Sequence, residues 1–85
     1  MKGKANRPKK KELDVDEQLR RLGQRIKQLR KEHSDSYETF AFENDLPRAQ
    51  YGRYEKGSDL RFSSLIKVLN ALGITPKEFF SDGFE

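Results

Sequence analysis

Apolar residues recur at the three- and four-residue spacing of an amphipathic helix in two separate segments of the chain. They are Leu19, Leu22, Ile26 and Leu29 in the first segment and Leu65, Val68, Leu69 and Leu72 in the second. This spacing places each set on one side of a helix, and no segment shows the alternation typical of a strand. Because the chain has 85 residues, of which only 33% are hydrophobic, both helices must share one small core. We predict an all-α fold.

Cap and turn residues delimit three predicted helices in the first two thirds of the chain. The first covers residues 16–32, and the second follows a cap at Ser36 and extends to about residue 44. The third covers residues 48–55, with Pro47 suited to its first turn. Glycine at position 57 can take the left-handed conformation that ends this helix.

Two further helices are predicted after it. The fourth follows a cap at Ser63 and ends at Gly73, which can take the left-handed conformation. The fifth is short and begins with the capping-box pattern formed by Thr75 and Glu78. The sequence therefore predicts five helices.

Positive charge is concentrated at the start of the chain. Residues 1–12 carry six lysine and arginine side chains against one carboxylate, a net charge of +5, whereas the other 73 residues carry −1. The first residues include almost no apolar side chain, so they cannot bury enough surface to order themselves. We predict a flexible basic arm over residues 1–14 and one helical domain over residues 15–85. The arm either solubilises the chain or binds phosphate through cations such as Lys9, Lys10 and Lys11.

The composition excludes several classes of site. The chain has no cysteine, which excludes a disulfide scaffold, a thiolate zinc site, an iron–sulfur cluster and a cysteine nucleophile. His33 cannot form a metal site alone, and the carboxylates are scattered, so we predict no enzyme, cofactor or small-molecule substrate. No apolar run approaches the roughly 20 residues that a membrane span needs, and the start lacks the apolar segment of a secretory signal. We expect a cytoplasmic protein.

Residues 36–57 combine two short helices with a turn of three to four residues, which is the arrangement of a helix-turn-helix unit. Ala41 is small enough to let the two helices approach closely. Three larger residues are predicted to face inward: Leu46, Tyr51 and Tyr54. Four residues remain on the exposed side of the second helix of the unit: Arg48, Ala49, Gln50 and Arg53.

The chain resembles the Xre family, the phage-repressor and Cro type of helix-turn-helix domain, over residues 18–80. The resemblance rests on Leu-Gly-x-x-Ile-x-x-Leu-Arg at 22–30, Phe40-Ala41, Arg-Tyr-Glu-Lys-Gly at 53–57 and Leu-x-x-Leu-Gly-Ile at 69–74. These fragments follow one another in the family's order and spacing. The resemblance implies a five-helix, lambda-repressor-like domain that binds double-stranded DNA sequence-specifically and regulates transcription, with the third helix in the major groove.

The resemblance assigns base reading to the exposed side of the third helix. It places Arg48, Ala49 and Arg53 at base-reading positions, with Gln50 as an addition. Arginine can donate two hydrogen bonds to guanine, and alanine can pack on a thymine methyl group. Outside this context the two arginines would be ordinary exposed helix residues.

The resemblance also implies phosphate contacts and an ion pair. Tyr37, at the start of the second helix, either donates a hydrogen bond to a phosphate or packs as a half-buried side chain. Arg61, in the loop after the third helix, can neutralise a phosphate. Arg30 and Glu55 are implied to form a structural ion pair between the first helix and the end of the third.

Two residues depart from the family's pattern. Gly52 lies in the middle of the third helix, where glycine costs about 1 kcal/mol relative to alanine. Either a close backbone approach to DNA offsets this cost, or the helix is weakly formed. Asp45 stands where relatives commonly have glycine, and aspartate tolerates the left-handed region that the turn requires.

A homodimer is expected because one recognition helix reads only a few base pairs and relatives bind paired half-sites about 34 Å apart. The candidate interface is apolar and lies near the C-terminus: Ile74, Phe79, Phe80 and Phe84. The other interpretation is that Phe79 completes the core and the remaining residues are scattered on the surface.

The main alternative function is a protein-protein interaction module on the same fold, without specific DNA binding. Its docking residues would be aromatic: Tyr37, Tyr51, Tyr54, Phe62 and Phe84. A binder of RNA or single strands is less favoured, because the aromatic platform on a sheet that such proteins commonly use is missing.

Overall fold

The chain forms five helices in the computed structural model, which describes residues 12–85. The helices are Val15–Arg30 (α1), Tyr37–Glu43 (α2), Arg48–Glu55 (α3), Phe62–Leu72 (α4) and Pro76–Phe79 (α5). Within the described residues there is no strand, so the all-α prediction with five helices is confirmed. The predicted phosphate-binding residues Lys9, Lys10 and Lys11, and most of the predicted arm, lie outside the described residues.

The N-terminus of α1 is set by Asp14, whose carboxylate accepts hydrogen bonds from the backbone N–H groups of Asp16 (3.0 Å) and Glu17 (3.3 Å). This cap satisfies donors that have no partner within the helix. The helix therefore begins at Val15 rather than at residue 16, and it ends at Arg30, two residues before the predicted end.

The turn between α2 and α3 agrees with the prediction. Ser36 caps α2, its side chain accepting from the N–H of Thr39 at 3.2 Å. Asp45 has φ of 59°. It therefore takes the left-handed conformation at the position where relatives commonly have glycine. The N–H of Leu46 then donates to the carbonyl of Ala41 at 2.8 Å, so the chain reverses within a few residues and α3 returns against α2.

The start of α4 differs from the prediction. The helix begins at Phe62 with Arg61 in the N-cap position and no side-chain cap hydrogen bond. Ser63 therefore lies inside the first turn and is not the cap. The C-terminus is as predicted, because Gly73 takes the left-handed conformation with φ of 75°.

The capping box of α5 is also confirmed. The Thr75 hydroxyl accepts from the N–H of Glu78, and the Glu78 carboxylate accepts from the N–H of Thr75.

All five helices contribute to one core. Its fully or almost fully buried hydrophobic residues are Ile26, Phe40, Ala41, Tyr51, Leu65, Val68, Leu69, Leu72 and Phe79. Tyr51 anchors α3, which packs against α1 and α2. The remaining side of α3 faces solvent, and this is the surface on which the candidate site lies. No helix among residues 12–85 is long and apolar enough to cross a membrane.

Candidate nucleic-acid interface

The two sides of α3 differ sharply in their exposure to solvent. Tyr51 is 0% exposed, and its ring packs against Phe40 with a centroid distance of 5.4 Å. Leu46 and Tyr54 are half-buried against the same core, so the three predicted inward positions are confirmed. The four predicted base-reading residues are all exposed: Arg48, Ala49, Gln50 and Arg53. This short helix thus presents two guanidinium groups, one amide and one methyl group to solvent.

The position of α3 relative to α1 depends on Gly23. A Cβ atom at Gly23 would lie 2.5 Å from the carbonyl oxygen of Tyr54 and 2.8 Å from that of Glu55. These oxygens belong to the backbone at the end of α3, so only a residue without a side chain permits this approach. Glycine is unfavourable inside a helix, so the sequence indicates that position 23 is unusual. It does not indicate that the backbone at the end of α3 is the neighbour that requires glycine there.

Arg30 and Glu55 form the expected ion pair. The Nε and Nη2 atoms of Arg30 donate to the two carboxylate oxygens of Glu55, each at 2.8 Å, and the two side chains are only 4% and 6% exposed. Burial by itself would raise the pKa of Glu55, but the hydrogen bonds from Arg30 hold the pKa below its ordinary value. The pair therefore ties the end of α3 to the end of α1 through two parallel hydrogen bonds.

The Tyr51 hydroxyl is the unusual polar group of this region. It is buried, and among the described residues it makes no hydrogen bond of ordinary geometry. Burial is the main cause that raises the pKa of Tyr51 above its usual range. The hydroxyl stays protonated and neutral at physiological pH, so it adds no charge beneath the exposed side of α3.

Gly52 packs against Tyr37. A Cβ atom at Gly52 would lie 2.6 Å from Cε1 and 3.1 Å from Cζ of the Tyr37 ring. The structure thus shows a close neighbour of Gly52 that neither interpretation from the sequence included, a tyrosine of α2, and the helix runs from Arg48 to Glu55. Tyr37 is half-buried and packs against the core, as the packing interpretation of this residue expected.

Arg61 lies at the edge of a groove beside α3. The groove runs between the end of α3 and the start of α4, and Gln50, Arg53 and Arg61 are among its lining residues. Arg61 is exposed, and its guanidinium group is available to an anion at this edge. The fold thus brings the predicted phosphate-binding loop residue next to two of the predicted base-reading residues.

The candidate dimer interface is smaller than predicted. Phe79 is 0% exposed and belongs to the core, so its assignment to the interface is wrong. Phe80 is 42% exposed, and Ile74 and Phe84 are half-buried against the core. The ring of Phe80 packs against that of Phe84 at a tilted angle, with a centroid distance of 5.0 Å. The C-terminal aromatic residues therefore form one cluster that is attached to the core through Phe79.

Arg25 holds this cluster, and sequence reasoning missed it. Its guanidinium group donates to the carbonyl oxygens of Phe79 (2.8 Å) and Glu78 (3.1 Å) and lies 6.0 Å from the centroid of the Phe79 ring. A cation near the last carbonyls of α5 satisfies acceptors that the helix leaves free. No local signal distinguishes Arg25 from the other cations of α1, because its partners are more than 50 positions away.

The aromatic residues of the alternative function differ in exposure. Tyr51 is buried, so its assignment as a docking residue is wrong. Phe62 is 65% exposed, and Phe42, which was not singled out from the sequence, is 82% exposed.

Comparison with known proteins gives one family. No curated protein and no solved structure matches the chain. The model of a family described as helix-turn-helix matches residues 26–79. This match covers more than half of the chain, from the second half of α1 to the end of α5, and it includes the whole of α2 and α3. The DNA-binding helix-turn-helix family is therefore the family to which this chain belongs.

Proposed function

We propose that the protein is a transcriptional regulator of the phage-repressor and Cro type that binds double-stranded DNA sequence-specifically. The observation that carries the proposal is the exposed side of α3, where Arg48, Ala49, Gln50 and Arg53 face solvent while Tyr51 fixes the opposite side in the core. In a helix-turn-helix unit this second helix is the one that enters the major groove. Its side chains then reach base edges while α2 crosses the backbone.

The side chains of α3 suit direct readout. Arg48 and Arg53 each offer a planar guanidinium group that can donate two hydrogen bonds to O6 and N7 of guanine. Ala49 can pack against the methyl group of thymine, and the amide of Gln50 can pair with adenine. Arg48 lies in the first turn of α3, the part of a recognition helix that contacts base edges, so it is our principal base reader.

Phosphate contacts are proposed on both sides of α3. The Tyr37 hydroxyl would donate to a phosphate from the start of α2, and Arg61 would neutralise another across the groove that it shares with Arg53. Lys9, Lys10 and Lys11 would contribute further phosphate contacts. They are needed because residues 13–85 carry a net charge of −1, and phosphate neutralisation supplies much of the affinity for duplex DNA.

The proposed regulator binds as a homodimer. Two copies would place two α3 helices at half-sites about 34 Å apart, which extends the sequence that is read. The apolar residues that support this proposal are exposed Phe80, the Phe84 ring in contact with it, and half-buried Ile74. The dimer predicts that a bound sequence consists of two related halves.

The test is selection of bound duplexes from a random library at physiological salt. The full chain is compared with the Arg48→Glu/Arg53→Glu variant and with the control variant Lys31→Glu/Lys77→Glu. Both variants change the net charge by the same amount, and all four residues are exposed, but Lys31 and Lys77 lie outside α3. We expect the wild type and the control to enrich one paired sequence and the α3 variant to enrich none.

Other outcomes would contradict the proposal. Enrichment of the same sequence by the α3 variant would show that Arg48 and Arg53 do not read bases. Weak, salt-sensitive and sequence-independent binding by all three proteins would show that the chain attracts DNA only nonspecifically. That result would favour the protein-interaction module, for which exposed Phe62 is a docking candidate. Enrichment of an unpaired sequence would contradict the dimer.

A further inference from the structure

Helix α5 is too short to fix the residues that follow it. It has four residues, and a single helical turn is not stable on its own. The chain then turns through Gly83, whose φ is 93°, and the ring of Phe84 lies against that of Phe80. The directions of these two rings therefore depend on contacts with another part of the molecule.

Arg25 of α1 supplies such contacts through its guanidinium group. Its Nε atom donates to the carbonyl oxygen of Phe79 at 2.8 Å, and its Nη2 atom donates to that of Glu78 at 3.1 Å. The carbonyl group of Phe79 belongs to the planar peptide group that joins Phe79 to Phe80. The first hydrogen bond therefore holds the peptide plane from which Phe80 departs.

The same side chain lies along the turn after α5. The Nη1 atom of Arg25 is 3.8 Å from a carboxylate oxygen of Asp82, and its Cδ atom is 3.8 Å from the place that a Cβ atom at Gly83 would take. Gln28 holds Arg25 in turn, because its side-chain oxygen accepts from Nη1 at 3.1 Å. The Arg25 side chain is only 11% exposed, so it is packed in place along the segment 78–83.

The aromatic rings of this region form what we call the C-terminal cluster, which consists of Phe79, Phe80 and Phe84. The ring centroids lie 4.9 Å apart for Phe79 and Phe80, 5.0 Å for Phe80 and Phe84, and 6.1 Å for Phe79 and Phe84. Each ring is thus within packing distance of the other two. Phe79 is buried in the core, whereas Phe80 is exposed. The cluster therefore presents the Phe80 ring to solvent from a buried base.

We infer that Arg25 is a positioning residue of the homodimer, because it holds Phe80 in the direction in which a second copy of the chain contacts it. The inference rests on the dimer proposed above, which the function needs since one α3 reads only a few base pairs. An apolar side chain that is already ordered in the monomer binds more tightly than a mobile one, because association does not have to order it. Without the guanidinium group, residues 80–84 would take more conformations before the copies meet.

The test is the dissociation constant of the dimer, measured by sedimentation equilibrium for the full chain and the variants Arg25→Met, Arg20→Met and Phe80→Ala. Methionine keeps much of the aliphatic part of arginine and removes all its donors. Arg20→Met is the matched control, because it removes the same charge from the same helix, and the Arg20 side chain hydrogen-bonds to Glu17 of α1.

We expect Arg25→Met and Phe80→Ala each to raise the dissociation constant by roughly tenfold or more. Arg20→Met should leave it within about twofold. An unchanged constant in Arg25→Met would overturn the inference, and so would an equal loss in Arg20→Met, which would assign the effect to charge alone. A dimer that survives Phe80→Ala intact would also overturn it, since Arg25 would then not act through that ring.

A linked dimer separates the pairing of two copies from the folding of each copy. Two copies of the Arg25→Met chain are joined by a glycine–serine linker long enough to span two half-sites, which makes pairing intramolecular. We expect the linked variant to enrich the same paired sequence as the wild type, because α3 of each copy is unchanged. Failure of the linked variant to enrich it would show that the DNA-binding fold itself needs Arg25, and the dimer role would be overturned.

The proposals fail differently. If the wild type stays monomeric at high concentration, with and without the selected duplex, the proposed dimer fails and the role of Arg25 fails with it. If the wild type dimerises but enriches no sequence, DNA binding fails, while the dissociation constants still decide the role of Arg25. If Arg25→Met dimerises as tightly as the wild type, only the inference about Arg25 is overturned.

Discussion

Glu55 ends α3 and accepts both hydrogen bonds from the buried guanidinium group of Arg30. Removal of one partner would leave an uncompensated buried charge, which costs about 3–5 kcal/mol, whereas replacement of both by apolar residues is often neutral or stabilising. The pair is therefore better understood as a device that fixes where α3 lies than as a source of net stability. Its two parallel hydrogen bonds define both a distance and a plane.

The pair makes the fold sensitive to acid. Because the pKa of Glu55 is lowered in the folded state from an ordinary value of 4.5, the ionised carboxylate stabilises the fold above that pH. This contribution is lost as the pH falls below 4.5 through the lowered pKa. We expect the variant Arg30→Met/Glu55→Leu to lose less stability than the wild type between pH 6 and about pH 3, as measured by urea denaturation. Equal losses in the two proteins would contradict this assignment.

At the scale of the helices, the sequence predicted those helix ends and turns that are determined by interactions between residues close together in the chain. The cap Ser36, the capping box of Thr75 and Glu78, and Asp45 in the turn each act within a few residues, and the structure confirms them. The start of α4 was mispredicted because no side-chain cap marks it.

Apart from the Arg30–Glu55 pair, which the family resemblance implied, contacts between residues distant in sequence could not be predicted, for a physical reason. A pattern of apolar and charged residues shows which side of a helix faces the core, but not which atoms meet across the core. The site illustrates this limit. The exposed side of α3 was predicted correctly, whereas the close neighbours of Gly23 and Gly52 and the carbonyl partners of Arg25 appear only in three dimensions.

The contact between α1 and α3 gives a prediction for Gly23→Ala. The new methyl group would meet two backbone oxygens at 2.5 and 2.8 Å, so the helices must separate. Overpacking of this kind costs about 1–3 kcal/mol, which we expect to exceed the gain in helix propensity that alanine brings. Denaturation by urea measures the loss. Gln24→Ala, at the exposed neighbouring position, is the control and should change stability by less than about 0.5 kcal/mol. Equal stability of Gly23→Ala and the wild type would contradict the close packing.

At the scale of the whole molecule, positive charge and base-reading residues are separated along the chain. The exposed arginines of α3 belong to the part with a net charge of −1, while residues 1–12 carry +5. In the proposed complex the first part supplies attraction that is independent of sequence, and the second supplies selectivity. The two contributions can therefore be removed one at a time.

Deletion of residues 1–11 tests this division and leaves the Asp14 cap in place. The shortened chain lacks six cations, so fewer counterions are released on binding. We expect weaker binding and a shallower dependence of affinity on salt, with the same preferred sequence. Titration of the selected duplex at several salt concentrations measures both quantities. An unchanged affinity and salt slope would show that the arm does not contact DNA, and an altered base preference would show that it reads sequence.

The close contact between the Tyr37 ring and Gly52 affects the order in which these two positions can change during evolution. If residue 52 enlarges first, its side chain overlaps a ring edge 2.6 Å away. If residue 37 shrinks first, the change leaves a void, and a void of this kind lowers stability without blocking the fold. The accessible route therefore begins at position 37. Among descendants of this chain, we expect a large residue at 52 mainly where residue 37 has become small, which a comparison of their sequences would check.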